Sequence, residues 1–199
     1  TFRWRHRFLN LPSSIKPVEL NGIIEVDEMF ILHSDKGKRN LNRPARKRGG
    51  KAEKPGRSAE QVCILVARDR EGHTVDHVSR GFDKEVIAKV LSPILAKDVI
   101  LCSDGLSSYE AFCREHGVVH KTLNLSAGIR VVDDVFHIQN VNAYHSRFKG
   151  WLRRFHGVAT KYLPNYLGWF RWLDKNRSAL AIKPLLAASS GTNQQLMVT

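Results

Sequence analysis

The sequence predicts an α/β domain with a mixed five-stranded sheet flanked by helices, and three observations carry that expectation. The run Val99-Ile100-Leu101-Cys102-Ser103-Asp104-Gly105 is an unbroken apolar stretch closed by a carboxylate and a glycine. Buried parallel strands look like this, and they deliver their last residues to the sheet edge where ligands bind. Far upstream, Ile23-Ile24-Glu25-Val26-Asp27 is a second strand-like run that also delivers an acid. Between the two, Val86, Ile87, Val90, Leu91 and Ile94 recur at helical spacing, so a crossover helix sets the strand ending at Asp104 parallel to its neighbour.

The remaining elements follow in order. Residues 1–20 read as a helical remnant and a linker, punctuated by Pro12, Ser13, Ser14 and Pro17. The first residue is not Met, which points to a missing upstream segment. Strand one spans about 22–31. Residues 61–67 form a buried strand, Asp69 to His73 a turn, and 74–79 a more polar, alternating strand, which together make a hairpin. Asp83 is placed to cap the crossover helix. After Asp104, a short helix runs from Ser107 to about His116 and is closed by Gly117, and a fifth strand covers about 118–123. Residues 131–136 are an acid-containing loop. A helix then runs from Ile138 to about Phe155 with Val141, Tyr144, Phe148 and Leu152 on one stripe. An aromatic helix covers about 163–176, and the tail from Pro184 is expected to be flexible. Three meander strands, then helix, strand, helix, strand and further helices, is the order of the ribonuclease-H-like fold. The expected organisation is 1–20 as the remnant and linker, 21–178 as the ribonuclease-H-like domain, and 179–199 as a flexible tail.

Composition narrows the function classes. With 42 % hydrophobic residues the chain can bury a core, and no apolar run reaches the length of a membrane span. The opening Thr1 to Leu9 is too basic and aromatic for a signal peptide. Cys63, Cys102 and Cys113 have no Cys-x-x-Cys spacing and read as small buried hydrophobes in a reducing cytoplasm. Basicity is concentrated: between Lys36 and Arg57 there are ten Lys or Arg against one acid, Glu53, in a chain of net charge +13. That window, rich in Gly and Pro, reads as a loop too charged to fold alone. Its cations, among them Lys36, Lys38, Arg39, Arg43, Arg46, Lys47, Arg48 and Lys51, would contact phosphates and release condensed counterions. A solvated insertion without a partner is the plainer alternative.

Two strand-borne acids in so basic a chain suggest a metal site acting on nucleic acid. Hard divalent ions take oxygen ligands on rigid elements, and Asp27 and Asp104 fit that need. No Glu follows Glu115, so the later helix offers Asn142 instead, with Lys149 seven residues on and close to the same face. An amide oxygen can ligate a hard cation, and a lysine can meet a phosphate as a point charge. A solvated polar face is the plainer account of that spacing.

Val26-Asp27-Glu28, Cys102-Ser103-Asp104-Gly105 with Tyr109, and His137-Ile138-Gln139-Asn140-Val141-Asn142 with Phe148-Lys149 resemble the ISXO2-like transposase domain. That is the catalytic domain of IS1595-family bacterial insertion-sequence transposases. Tyr166-Leu167, Phe170 and Leu173-Asp174-Lys175-Asn176 are similar to its last helix, so the resemblance covers roughly 20–176. Phe2 to Leu9 looks like the end of the family's N-terminal DNA-binding region, without the zinc ribbon that usually precedes it. The resemblance implies a DDE-type enzyme that cuts DNA at the element's ends and joins it to a target. Asp27, Asp104 and Asn142 would hold two Mg²⁺ or Mn²⁺ ions, and Lys149 matches the family's following lysine. Asn142 falls where many relatives carry Glu, and Asn is an accepted variant there. The resemblance further implies a cytoplasmic, nucleoid-associated bacterial protein that assembles as a homo-oligomer on DNA.

Other residues compete for roles at the site. His145 shares the face of Asn142, Asp133 or Asp134 could supply a carboxylate from the preceding loop, and His137 could contact DNA or support the site. Trp151, Trp169, Phe170 and Trp172 could stack on bases, though an aromatic stripe at helical spacing is more often core. Two alternatives to the transposase stand beside it: a catalytically inactive DNA-binding remnant, and a ribonuclease-H-like nuclease acting on RNA–DNA hybrids.

Overall fold

In the computed structural model, β1 (Ile23–Leu32) pairs antiparallel with β2 (Gln61–Asp69) and parallel with β4 (Ile100–Ser103). β3 (Thr74–Ser79) completes a hairpin with β2, and β5 (Val119–Thr122) runs parallel to β4. The sheet order β3-β2-β1-β4-β5 puts β1 in the middle, which is the mixed ribonuclease-H-like sheet expected from the element order. The structure describes residues 2–14, 19–44, 46, 49–50, 52–53, 58–81, 83–124 and 127–176. The expected tail lies outside them.

The strands explain their own composition. Val62 to Ala67 of β2 are all buried, so the strand is continuously apolar rather than alternating. β3 lies at the sheet edge without the expected alternation: Thr74 and Val75 are both buried at its start, and from Asp76 on it is half-buried or exposed. On one face of the sheet, Ile24 and Val26 of β1, Leu65 of β2 and Leu101 of β4 join a core with residues of two helices. These are Ile87 and Leu91 of α2 (Lys84–Leu91) and Tyr109 and Phe112 of α3 (Ser107–His116). Each fully buried aliphatic or aromatic side chain contributes on the order of 2 kcal/mol of transfer free energy. Asp83 caps α2 as expected, its Oδ1 accepting from Val86 N–H at 2.9 Å. Gly117 ends α3 with φ 67°, a left-handed closure that a glycine adopts without strain.

The other face of β1 carries Glu25 and Asp27, which meet α4 (Gln139–Leu152). Val141, Tyr144 and Phe148 of α4 are buried, as the stripe predicts. Leu152 is only half-buried, at the point where the helix tightens into a 3₁₀ turn at Arg153–Phe155.

By internal packing the chain divides into two units, Pro17–Thr160 and Thr1–Lys16 with Lys161–Thr199. The sheet and α2 to α4 belong to the first. In the second, α1 (Phe2–Ser14) packs on α5 (Leu163–Lys175), a helix that sequence reasoning groups with the sheet domain. Gly168 makes that packing possible, because a Cβ there would stand 2.6 Å from the Ser13 backbone. The His6 ring lies 4.1 Å from that of Tyr162. Phe170 and Trp172 are buried, while Trp151 and Trp169 are half-buried. No helix among the described residues is long and apolar enough to cross a membrane.

Candidate functional site

β1 and β4 run side by side, with Glu25 opposite Cys102, so the register carried two residues further sets Asp27 opposite Asp104. β4 ends at Ser103, while β1 continues to Leu32 against β2. The acids therefore gather where β1 has lost its β4 neighbour and side chains have room. Oxygen atoms of Asp27, Glu28 and Asp104 lie within 4.8 Å of one another, and all three residues are half-buried.

Glu28 is the member that sequence reasoning missed. Strand alternation turns it to the face opposite Asp27, so a search for acids on one face passes over it. The signal that could have found it is its place directly after Asp27 in the sequence.

Behind this group stands Tyr109 of α3, fully buried. Burial, and after it the charges of Glu28, Asp27 and Asp104, hold its hydroxyl well above the ordinary tyrosine range. Gly105 makes the turn out of β4 with φ 84°, and a Cβ there would meet Thr122 Cγ2 at 2.6 Å. The Ser103 hydroxyl, buried beneath, lies 2.9 Å from His120 Nε2. Burial pushes the thiols of Cys102 and Cys113 up to about 11, so neither supplies a thiolate near neutral pH.

α4 reaches the same place from the other side. His145, 6 % exposed, sets Nδ1 3.5 Å from Asp27 Oδ2. Asn142 is exposed and one turn earlier, and Lys149 is exposed one turn later. At roughly 100° per residue, Asn142 and Lys149 project within about 20° of each other, on the flank of the buried stripe next to His145. His137 serves Glu25 instead, with Nδ1 3.2 Å from its Oε1. Asp133 pairs with Lys121 at 2.9 Å, and both Asp133 and Asp134 are exposed. Both also adopt positive φ, in a turn bridged by Val132 and Phe136.

Three oxygen-bearing acids at this spacing suit a hard divalent cation such as Mg²⁺ or Mn²⁺, which prefers carboxylate oxygen over nitrogen or sulfur. An amide from Asn142 would add an oxygen without adding charge.

The basic segment is tied to the same helix. The Lys36 ammonium donates to the carbonyls of Phe155, His156 and Gly157, the last at 2.8 Å, where α4 and its 3₁₀ turn end. Arg46 bonds the His33 carbonyl and the Glu60 carboxylate, each at 2.7 Å. A hydrogen bond from Glu53 N–H, and then Arg46, lower the pKa of Glu60. Arg43 donates to the Pro44 carbonyl and lies 3.8 Å from Asp35. Lys38 and Arg39 are exposed. Lys47, Arg48 and Lys51 lie outside the described residues.

Three comparisons bear on the chain. No curated protein matches it. Among solved structures it is similar to a chain of the simian T-cell lymphotropic virus intasome in complex with PP2A regulatory subunit B56 gamma, at 11 % identity and TM-score 0.47. That match covers 79 % of this chain and 49 % of the other. It is also similar to a chain of the Mos1 strand transfer complex, at 14 % identity and TM-score 0.33, over 96 % of this chain and 62 % of the other. The chain thus spans about half to three-fifths of those proteins. The family model described as ISXO2-like transposase domain matches residues 19–173, which takes in every strand and all of the site residues above. The chain belongs to the ISXO2-like transposase domain family.

Proposed function

We propose that this chain is the catalytic domain of a DNA transposase that cleaves phosphodiesters at an element's ends and joins them to target DNA. The observation that carries the reading is the cluster of Asp27 and Glu28, within β1, with Asp104 just past the end of neighbouring β4, in a chain of this family. Asp27 and Asp104 hold divalent metal, Mg²⁺ or Mn²⁺, with Glu28 beside them and Asn142 offering its amide oxygen. When bound, such ions supply Lewis-acid stabilisation of charge on the attacking and leaving oxygens of an in-line displacement. Lys149 meets a substrate phosphate from the same helix flank as Asn142. Lys38 and Arg39, exposed on the basic segment, add phosphate contacts that bind DNA without reading its sequence. Assembly as a homo-oligomer on paired DNA ends, in the bacterial nucleoid, belongs to the same proposal.

The test is cleavage of a duplex carrying the element's own ends, with Mg²⁺ or Mn²⁺ added, by wild type and Asp104→Ala. Loss of cleavage in the variant supports the reading, and undiminished cleavage sinks it. The exposed amide of Asn142, where a carboxylate would add charge, favours one other reading: a DNA-binding remnant without activity. Salt-sensitive DNA binding by wild type without Mn²⁺ affinity would establish the remnant. Cleavage of an RNA–DNA hybrid but not of duplex ends would point instead to a nuclease.

A further inference from the structure

α4 begins without the devices that start a helix. Its N-cap is Ile138, which makes no side-chain cap, and its first turn carries no acid. Its exposed N–H groups and the positive end of its dipole call for an anion. The anion comes from another element. Glu25, near the start of β1 and completely buried, accepts from Val141 N–H with Oε2 at 2.9 Å and from Asn140 Nδ2 with Oε1 at 2.8 Å. Its Oε1 is also held by Arg70, at 2.6 Å, and approached by His137. Arg70 comes from the β2–β3 turn and binds the Val135 carbonyl as well, at 2.9 Å. One carboxylate therefore gathers the hairpin turn, the loop before α4 and the first turn of α4.

The spacing gives this a consequence for the site. Glu25 meets Val141, and two residues on, Asp27 meets His145, four residues on. Two strand residues advance about 6.6 Å and four helix residues about 6 Å, so strand and helix run in step, in the same direction. Sliding α4 by one residue would break both contacts and carry Asn142 and Lys149 roughly 100° around the helix.

We propose that Glu25 is a positioning residue that fixes the register of α4 on β1 and so decides whether Asn142 reaches the metal held by Asp27 and Asp104. This rests on the reading of those two acids as metal ligands. Glu25 itself touches neither metal nor DNA.

A double-mutant cycle on Mn²⁺ affinity of the full chain tests it, because the cycle cancels whatever each change does alone. Asn142→Glu in wild type should tighten Mn²⁺ by about tenfold, since it adds a charged oxygen ligand. Glu25→Gln alone should weaken Mn²⁺ by up to about tenfold, through loss of the Asn142 amide and of the His145 contact to Asp27, while binding persists because Asp27, Glu28 and Asp104 stand on the strands. Combined with Glu25→Gln, the gain from Asn142→Glu should fall below about threefold. The same gain in both backgrounds overturns the proposal, and so does no gain in wild type. Asp104→Ala separates the two readings: if it leaves Mn²⁺ binding intact, the metal site itself is wrong. Cooperative thermal unfolding monitors each variant, and if Glu25→Gln does not fold, Asn140→Ala takes its place. That variant removes a single Glu25 contact from the α4 side and should reduce the gain part-way, whereas an undiminished gain overturns the proposal.

Discussion

Nδ1 of His145 stands 3.5 Å from Oδ2 of Asp27, so the acid at the centre of the carboxylate group is already in contact with a buried imidazole. A ligating carboxylate held this way keeps its orientation when metal enters, and such outer partners are worth 10- to 100-fold in affinity. His145→Ala is therefore expected to weaken Mn²⁺ binding by about tenfold while the fold persists. Calorimetric titration of the variant checks this, and affinity equal to wild type would leave His145 a packing residue only.

Asp27→Asn and Asp104→Asn each remove a charged ligand while keeping side-chain volume. Each should lower DNA cleavage by about 10³-fold or more, about 4 kcal/mol of transition-state stabilisation. Single-turnover rates at saturating Mn²⁺ are the measurement. A loss under tenfold at either position would remove it from the centre.

Glu28 and Asp133 are both acids near the site, yet their surroundings differ. Glu28 lies within the 4.8 Å group, whereas Asp133 is exposed and paired with Lys121. Glu28→Gln should weaken Mn²⁺ by about tenfold, and Asp133→Asn should change it by less than about twofold. The reverse ranking would move the third carboxylate to the loop.

How much of this was legible in the sequence follows from what kind of signal each feature leaves. Strands β1, β2 and β4 announced themselves as apolar runs, and Asp83 and Gly117 as helix punctuation, because these depend on neighbours in sequence. Asp27 and Asp104 were legible for the same reason: each follows a buried run. Glu28 was not, since its membership depends on β4 ending early. Glu25 was not either. Inside an apolar run it has no local partner, and its four partners come from three segments far along the chain. The basic window was legible as charge. That Lys36 and Arg46 spend their hydrogen bonds on the protein's own carbonyls and on Glu60 required the structure. The pairing of α1 with α5 was hidden likewise, because it turns on a glycine more than 150 positions away from its contact.

Gly105 sets the exit angle of the chain just after Asp104. Gly105→Ala imposes a side chain on φ 84° and drives a Cβ to within 2.6 Å of Thr122 Cγ2. The expected cost is about 1–3 kcal/mol of stability, with loss of metal binding as Asp104 shifts. Adding Thr122→Ser should recover only part, since it removes the methyl and leaves the backbone strain. Denaturant unfolding of the single and double variants reads the difference.

The in-step contacts of β1 and α4 also say where this chain can change length and where it cannot. One residue inserted between Glu25 and Asp27 would turn one of them to the opposite face of the sheet. Either the Glu25 contact at the start of α4 or the grouping of Asp27 with Glu28 and Asp104 would then be lost. A change of length between β1 and β2 leaves that spacing as it is, since neither Glu25 nor Asp27 lies there. The connection between β1 and β2 can therefore vary in length without disturbing the contacts of β1 with α4, while the five residues from Ile23 to Asp27 must be inherited with their spacing intact.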